Sequence, residues 1–248
     1  MARGLHLRSM STVDQLIAAA GRGDVPAMRA ILPQAPELRD ARNMIGAGAI
    51  HAAHFAGQSA AVAYLDGAGL VRDPWLRAEL GDLAGVRAAL DSAPELVHAF
   101  NAGGSTLLHA AAYWGQVDVA KLLVERGADV NAVTRDSFLH IHPLGSGVAS
   151  PGVEGCPAES EDNVLAIATL LLDAGAGVNN RRRDGLTALH TAGYRGHDRV
   201  ARLLLERGAD RSIRGHDSGG AHGGQSAAEM AEERGHLDTA RLIRAAGG

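Results

Sequence analysis

The chain has 248 residues, 46% of them hydrophobic but only 3% aromatic, with a formal net charge of −4. The slightly acidic balance argues against a nucleic-acid binder, because no long basic stripe accompanies the solvated tip Arg181-Arg182-Arg183. The lone Cys156 excludes a disulfide framework and points to a reducing cytoplasm.

Taken in chain order, residues 1–11 read as a disordered extension. MARGLHLRSM lacks the apolar core of a signal peptide, whereas MSTVDQLIAAA reads as a natural start. Residues 12–248 then read as a single domain of paired helices. VDQLIAAAGRGDVPAMRAIL (13–32), GAGAIHAAHFAGQSAAVAYLDGAG (46–69) and PWLRAELGDLAGVRAAL (74–90) predict the first three pairs. GGSTLLHAAAYWGQVDVAKLLVERGADVNA (103–132) is the most complete copy. A fifth pair is split: it starts near Phe138 to Leu144 and resumes at VLAIATLLLDAGAGVNN (164–180), across an insertion at about 135–162. RDGLTALHTAGYRGHDRVARLLLERGADRS (183–212) and GQSAAEMAEERGHLDTARLIRAA (224–246) complete seven. The most apolar stretch, Val164 to Leu172, is too short to span a bilayer, so a soluble protein is expected.

Each copy has a physical logic. Thr106 and Thr187 stand where a hydroxyl can cap the first N–H groups of a short helix, and His109 and His190 follow where they can bond back to that start. Ala110-Ala111-Ala112 keeps the first helix thin. Gly115 and Gly196 permit the turn into a second helix, whose apolar spacing comes from Val119, Leu122 and Leu123, or Val200, Leu203 and Leu204. Gly127 and Gly208 end that helix. A fixed period of about 33 residues is the signature of a solenoid.

The motifs G-x-T-x-L-H, the Gly-Gln or Gly-His turn and L-L-x-x-R-G-A-D resemble the ankyrin repeat over nearly the whole chain. The resemblance implies an all-α ankyrin-repeat solenoid of about seven helix–turn–helix repeats, with short hairpin-like finger loops and one insertion in the fifth repeat. It also implies that the two positions before each turn glycine face a concave surface and carry partner contacts. Those positions hold Gly21-Arg22, Phe55-Ala56, Glu79-Leu80, Tyr113-Trp114, Tyr194-Arg195 and Glu233-Arg234. Four of the eight aromatic residues fall there, giving an expected strip of Phe55, Tyr113, Trp114 and Tyr194 beside Arg195, with Phe138 as a fifth ring. Tyr and Trp are enriched in binding hot spots; the plainer alternative is that the rings pack against neighbouring loops.

Five histidines occupy structural repeat positions: His51, His109 and His190 at the helix starts, His197 and His236 at the turns. His54, His140 and His142 do not. His140 and His142 would point to one side of an extended strand, which suits a shared proton network or, with a third ligand that the spacing does not supply, a metal. The stretch Phe138 to Leu144 is expected to lie against the groove, with residues 149–162 as a lid or surface loop.

Two functions follow. One is a binding scaffold whose concave groove holds a protein segment or an apolar ligand. The other is an enzyme using the groove for acid–base chemistry on an apolar small molecule (dehydration, addition or cyclisation), with His140, His142, His54 and Glu79 as catalytic groups and Tyr113 and Asp136 as auxiliaries. No Ser-centred elbow, phosphate-cradling loop or zinc signature is present, so no cofactor, metal, nucleic acid or membrane is expected. Lys121 is the only lysine among 24 basic residues, a skew that suggests the coding bias of a GC-rich bacterial genome and carries no mechanism.

Overall fold

The computed structural model describes residues 11–39, 41, 48–66, 73–136, 140–149, 160–216 and 223–245. Among these residues there are fourteen α-helices in seven antiparallel pairs. Two compact units hold them, the first with two pairs and the second with five.

In the first unit α1 (Thr12–Gly21) and α3 (Ala49–Phe55) are the inner helices, and α2 (Val25–Ile31) and α4 (Ser59–Asp66) the outer ones. Inner packs on inner and outer on outer. Ser11 caps α1 by accepting from the Asp14 N–H at 3.2 Å.

The second unit has inner helices α5 (Pro74–Leu80), α7 (Leu107–Tyr113), α9 (Pro143–Ala149), α11 (Ala188–Arg195) and α13 (Ala227–Glu233). Its outer helices are α6 (Leu83–Ser92), α8 (Val117–Glu125), α10 (Glu161–Asp173), α12 (Asp198–Glu206) and α14 (Leu237–Ala245). Successive members of each row pack on one another, so each repeat buries its apolar face only against its neighbours. Leu107, Leu108, Leu123, Ile167, Leu171, Leu189 and Leu204 are fully buried between the two rows.

Local chemistry accounts for the short helices. In α7 the Nδ1 atom of His109 accepts from the Thr106 backbone N–H (3.3 Å), and Thr106 Oγ1 accepts from the His109 N–H (3.4 Å). His190 serves Thr187 in the same way at 3.1 Å, and His51 serves Gly48 at 3.2 Å. In α13 the pair is Ser226 and Glu229, the carboxylate form of the same box. Gly127 closes α8 at φ 85°, with the Ala128 N–H reaching back to the Leu123 carbonyl at 2.9 Å. That left-handed backbone favours glycine.

The fifth repeat departs from the expected layout. Pro143–Ala149 is an ordinary inner helix packed between α7 and α11, so of the stretch Phe138 to Leu144 expected against the groove, Pro143 and Leu144 instead open this helix. His142-Pro143-Leu144-Gly145 occupies the helix start, with Gly145 where other copies carry the capping histidine. The residues beyond the usual repeat length therefore fall between α9 and α10 rather than in the finger. Gly147 is fixed by close approach, since a Cβ there would lie 2.6 Å from Ile167 Cγ2. The proposed lid, apart from Ala149 and residues 160–162, lies outside the described residues, as do Phe138, Cys156 and the extension 1–10.

Candidate functional site

The ends of the inner helices set the geometry of the candidate surface. Consecutive residues on a helix stand about 100° apart, so the two positions before each turn point in different directions. At the end of α7, Tyr113 is half-buried and Trp114 is only 2% exposed. The two rings meet edge to face, 5.8 Å between centroids. Trp114, expected on the surface of the strip, is thus a packing residue that backs Tyr113. At the end of α11, Tyr194 is half-buried and Arg195 exposed. The Arg234 guanidinium from the end of α13 lies 4.6 Å over the Tyr194 ring. Glu79 at the end of α5 is buried, and its backbone carbonyl accepts from the Gln116 side chain at 2.8 Å.

Phe55 and His54 belong to the first unit. His54 is exposed and packs edge to face on Phe55, 5.3 Å between centroids. Tyr113, Tyr194 and Arg195 share the second unit with Glu79, His140 and His142.

The His140–His142 stretch does not form the expected strand. His140 adopts φ 47°, the sole non-glycine residue with positive φ among the described residues, so the two rings lack the common direction of an extended run. His140 is exposed. His142 is half-buried with Nδ1 3.1 Å from the Asn131 carbonyl. Between them Ile141 is held tightly: its carbonyl accepts from the Thr134 N–H (3.0 Å) and from His109 Nε2 (3.0 Å), and its N–H donates to Thr134 Oγ1 (3.0 Å). The Thr134 hydroxyl is also bonded to Asp136. Among the described residues no three His, Cys, Asp or Glu side chains converge as a metal site would require.

Burial pushes His109 down to about 4, against weaker raising by the Ile141 carbonyl. His190 is pushed to about 4 by the same cause. Both rings are therefore neutral at pH 7. Because Nδ1 of His109 accepts from the Thr106 N–H, the proton sits on Nε2, facing the Ile141 carbonyl.

Loop contacts join neighbouring repeats. Asn131 donates to the Gly175 carbonyl (3.0 Å) and accepts from the Gly177 N–H (2.9 Å); Asn179 makes the same pair with Gly208 (3.1 Å) and Asp210 (2.8 Å). The sequence did not single out one further contact: the Arg135 guanidinium stacks 3.8 Å over the ring of Phe100, which lies thirty-five positions earlier. Nothing within either repeat alone signals it.

Among the described residues no helix is long and apolar enough to cross a membrane.

Residues 103–135 match the model of the ankyrin repeat, and residues 158–247 match that of ankyrin repeats in three copies. The mouse serine/threonine-protein kinase TNNI3K is 32% identical over 150 residues, 59% of this chain and 17% of that protein. The mouse B-cell lymphoma 3 protein homolog is 37% identical over 114 residues, 46% of this chain and 22% of the relative. The mouse nuclear factor NF-kappa-B p105 subunit is 34% identical over 122 residues, 48% of this chain and 11% of the relative. The chain thus matches less than a quarter of the length of each of these relatives, and as animal proteins they lend nothing to a bacterial coding bias. Residues 103–135 and 158–247 are ankyrin repeats, and the fold they build is the ankyrin solenoid.

Proposed function

We propose that the chain is a protein-binding scaffold, holding a protein segment against the inner-helix ends of the second unit through Tyr113, Tyr194 and Arg195. The observation that carries this reading is that Tyr113 and Tyr194 occupy equivalent repeat positions, each partly exposed and each braced, one by Trp114 and the other by Arg234. Braced aromatic side chains lose little entropy on binding, and tyrosine is a preferred hot-spot residue. The relatives add support: a kinase, a lymphoma protein and a nuclear-factor subunit each match this chain over less than a quarter of their own length, as expected of a module carried by otherwise different proteins. A protein segment is favoured over an apolar small molecule, because two sizeable clefts among the described residues, about 480 Å³ at the loop edge and about 500 Å³ between the outer helices α12 and α14, are lined by neither tyrosine. The test is native affinity capture of the full chain, with wild type compared with Tyr113→Ala/Tyr194→Ala by quantitative mass spectrometry. The expected result is one or a few proteins captured by wild type and lost from the variant. Equal capture by both removes this surface from the function.

One observation favours acid–base catalysis as a second reading. A non-glycine residue held at positive φ is a strained backbone of the kind that clusters at functional sites, and here it is His140. On that reading His140 and His142 are the acid and base. Replacing either by alanine then lowers turnover of a copurifying metabolite by roughly 10²- to 10⁴-fold, and unchanged turnover in the double variant ends it.

A further inference from the structure

On the loop edge of the second unit, the segment that precedes α7 and the one that follows α8 enclose a cleft of about 480 Å³. Its apolar lining includes Val97, Phe100, Ala132 and Val133. Val133 is 40% exposed, one of two large hydrophobic side chains left open to solvent among the described residues. Arg135 also lines the cleft, its guanidinium stacked on Phe100 at 3.8 Å and its backbone N–H held by the Gly104 carbonyl at 2.8 Å. No carboxylate among the described residues pairs with it, whereas Asp129 in the same cleft is engaged by the Asn131 N–H at 2.9 Å.

We infer that this cleft is a docking site for an extended protein segment that seats an aliphatic side chain on Val97, Ala132 and Val133 and presents a neighbouring carboxylate to Arg135. Charge complementarity selects that occupant. Arg135, which pairs with no carboxylate among the described residues, has its guanidinium plane fixed by the ring beneath it, and a fixed guanidinium matches a carboxylate in two parallel hydrogen bonds. The ordering cost is met in the folded chain, since stacking and the Gly104 contact hold the arginine before anything binds. The exposed valine supplies the apolar contact that a purely ionic surface site lacks. The inference rests on the protein-binding reading and adds the chemistry of one contact, at a place separate from the tyrosine positions.

The test is selection of a phage-displayed random heptapeptide library on the full chain, followed by fluorescence anisotropy with the selected peptides. The expected consensus is an aliphatic residue beside Asp or Glu. Arg135→Gln and Val133→Asp each weaken the selected peptides by roughly tenfold, about 1.4 kcal/mol, with unchanged melting temperature. Arg135→Lys recovers only part of the affinity, since an ammonium keeps the charge and loses the stacked plane. Tyr113→Ala/Tyr194→Ala leaves these peptides bound. Peptides that ignore Arg135→Gln and Val133→Asp but are lost in the tyrosine double variant overturn the cleft assignment and leave the scaffold standing. A selection that enriches no peptide also overturns the cleft assignment, while the scaffold is decided separately by native capture.

Discussion

His109 does two jobs with one ring: Nδ1 closes the start of α7 and Nε2–H reaches the Ile141 carbonyl of the next repeat. The first requires the neutral form, because a protonated Nδ1 has no lone pair with which to accept. The folded values of His109 and His190, about 4, lie below the 6.5 of a free imidazole, so between these limits the unfolded chain binds more protons than the folded one. Stability is therefore complete above pH 6.5 and falls as the pH drops through that window, by on the order of 3 kcal/mol per histidine at the acid end. Urea midpoints at pH 7.5, 6 and 5 should decline in step, and a flat series contradicts the neutral assignment. Trp114 gives the second prediction at this scale. At 2% exposure its truncation to alanine should cost about 3 to 5 kcal/mol of stability, as for a buried aromatic side chain. A wild-type urea midpoint for Trp114→Ala would put the ring back on the surface. The capping residues were readable from sequence because a hydroxyl and an imidazole three positions apart have one local use. The burial of Trp114 was not, because neighbouring residues on a helix end differ only by a rotation whose outcome depends on the adjacent repeats.

The helix pairs illustrate what a regular period can and cannot convey. Leu123 and Leu204 are 0% exposed, as their spacing in α8 and α12 predicts, and alanine at either should cost about 2 to 5 kcal/mol. Calorimetry or urea unfolding that shows no loss refutes the packing. The inner helix α9 is only loosely legible in the sequence, as a start near Phe138 to Leu144. Its start has His142 and Gly145 in place of the threonine and histidine of the complete copies, and two of its seven residues are glycine, so its sequence lacks both the capping signal and helix propensity. Packing against α7, α10 and α11 supplies what propensity does not. Gly147 tests this directly. Alanine there gains helix propensity of about 1 kcal/mol, but its Cβ would stand 2.6 Å from Ile167 Cγ2, so Gly147→Ala should destabilise by about 1 to 3 kcal/mol. In a double-mutant cycle, Gly147→Ala with Ile167→Ala should lose less than the sum of the two singles. Strict additivity would show that the two helices do not touch there.

At the level of the molecule, the solenoid was legible because each repeat restates the same physics, and the copies match wherever capping pair, turn glycine and leucine spacing occur together. The contacts with a functional bearing were less legible. Arg135 on Phe100 and Arg234 over Tyr194 join different repeats, and their meeting depends on stacking geometry that no single copy encodes. The array also frames what the tyrosines can do: side chains at equivalent positions of α7 and α11 belong to one row of packed inner helices, separated by α9. A segment bound there should touch the inner-helix ends and leave the outer helices untouched. Site-specific photo-crosslinking measures this directly, with benzoylphenylalanine placed at Arg195, at the end of α11, or at Arg202, exposed on the outer helix α12. The scaffold account predicts a covalent adduct with a partner protein from position 195 and none from position 202. An adduct from position 202 alone, or from neither position, would contradict it.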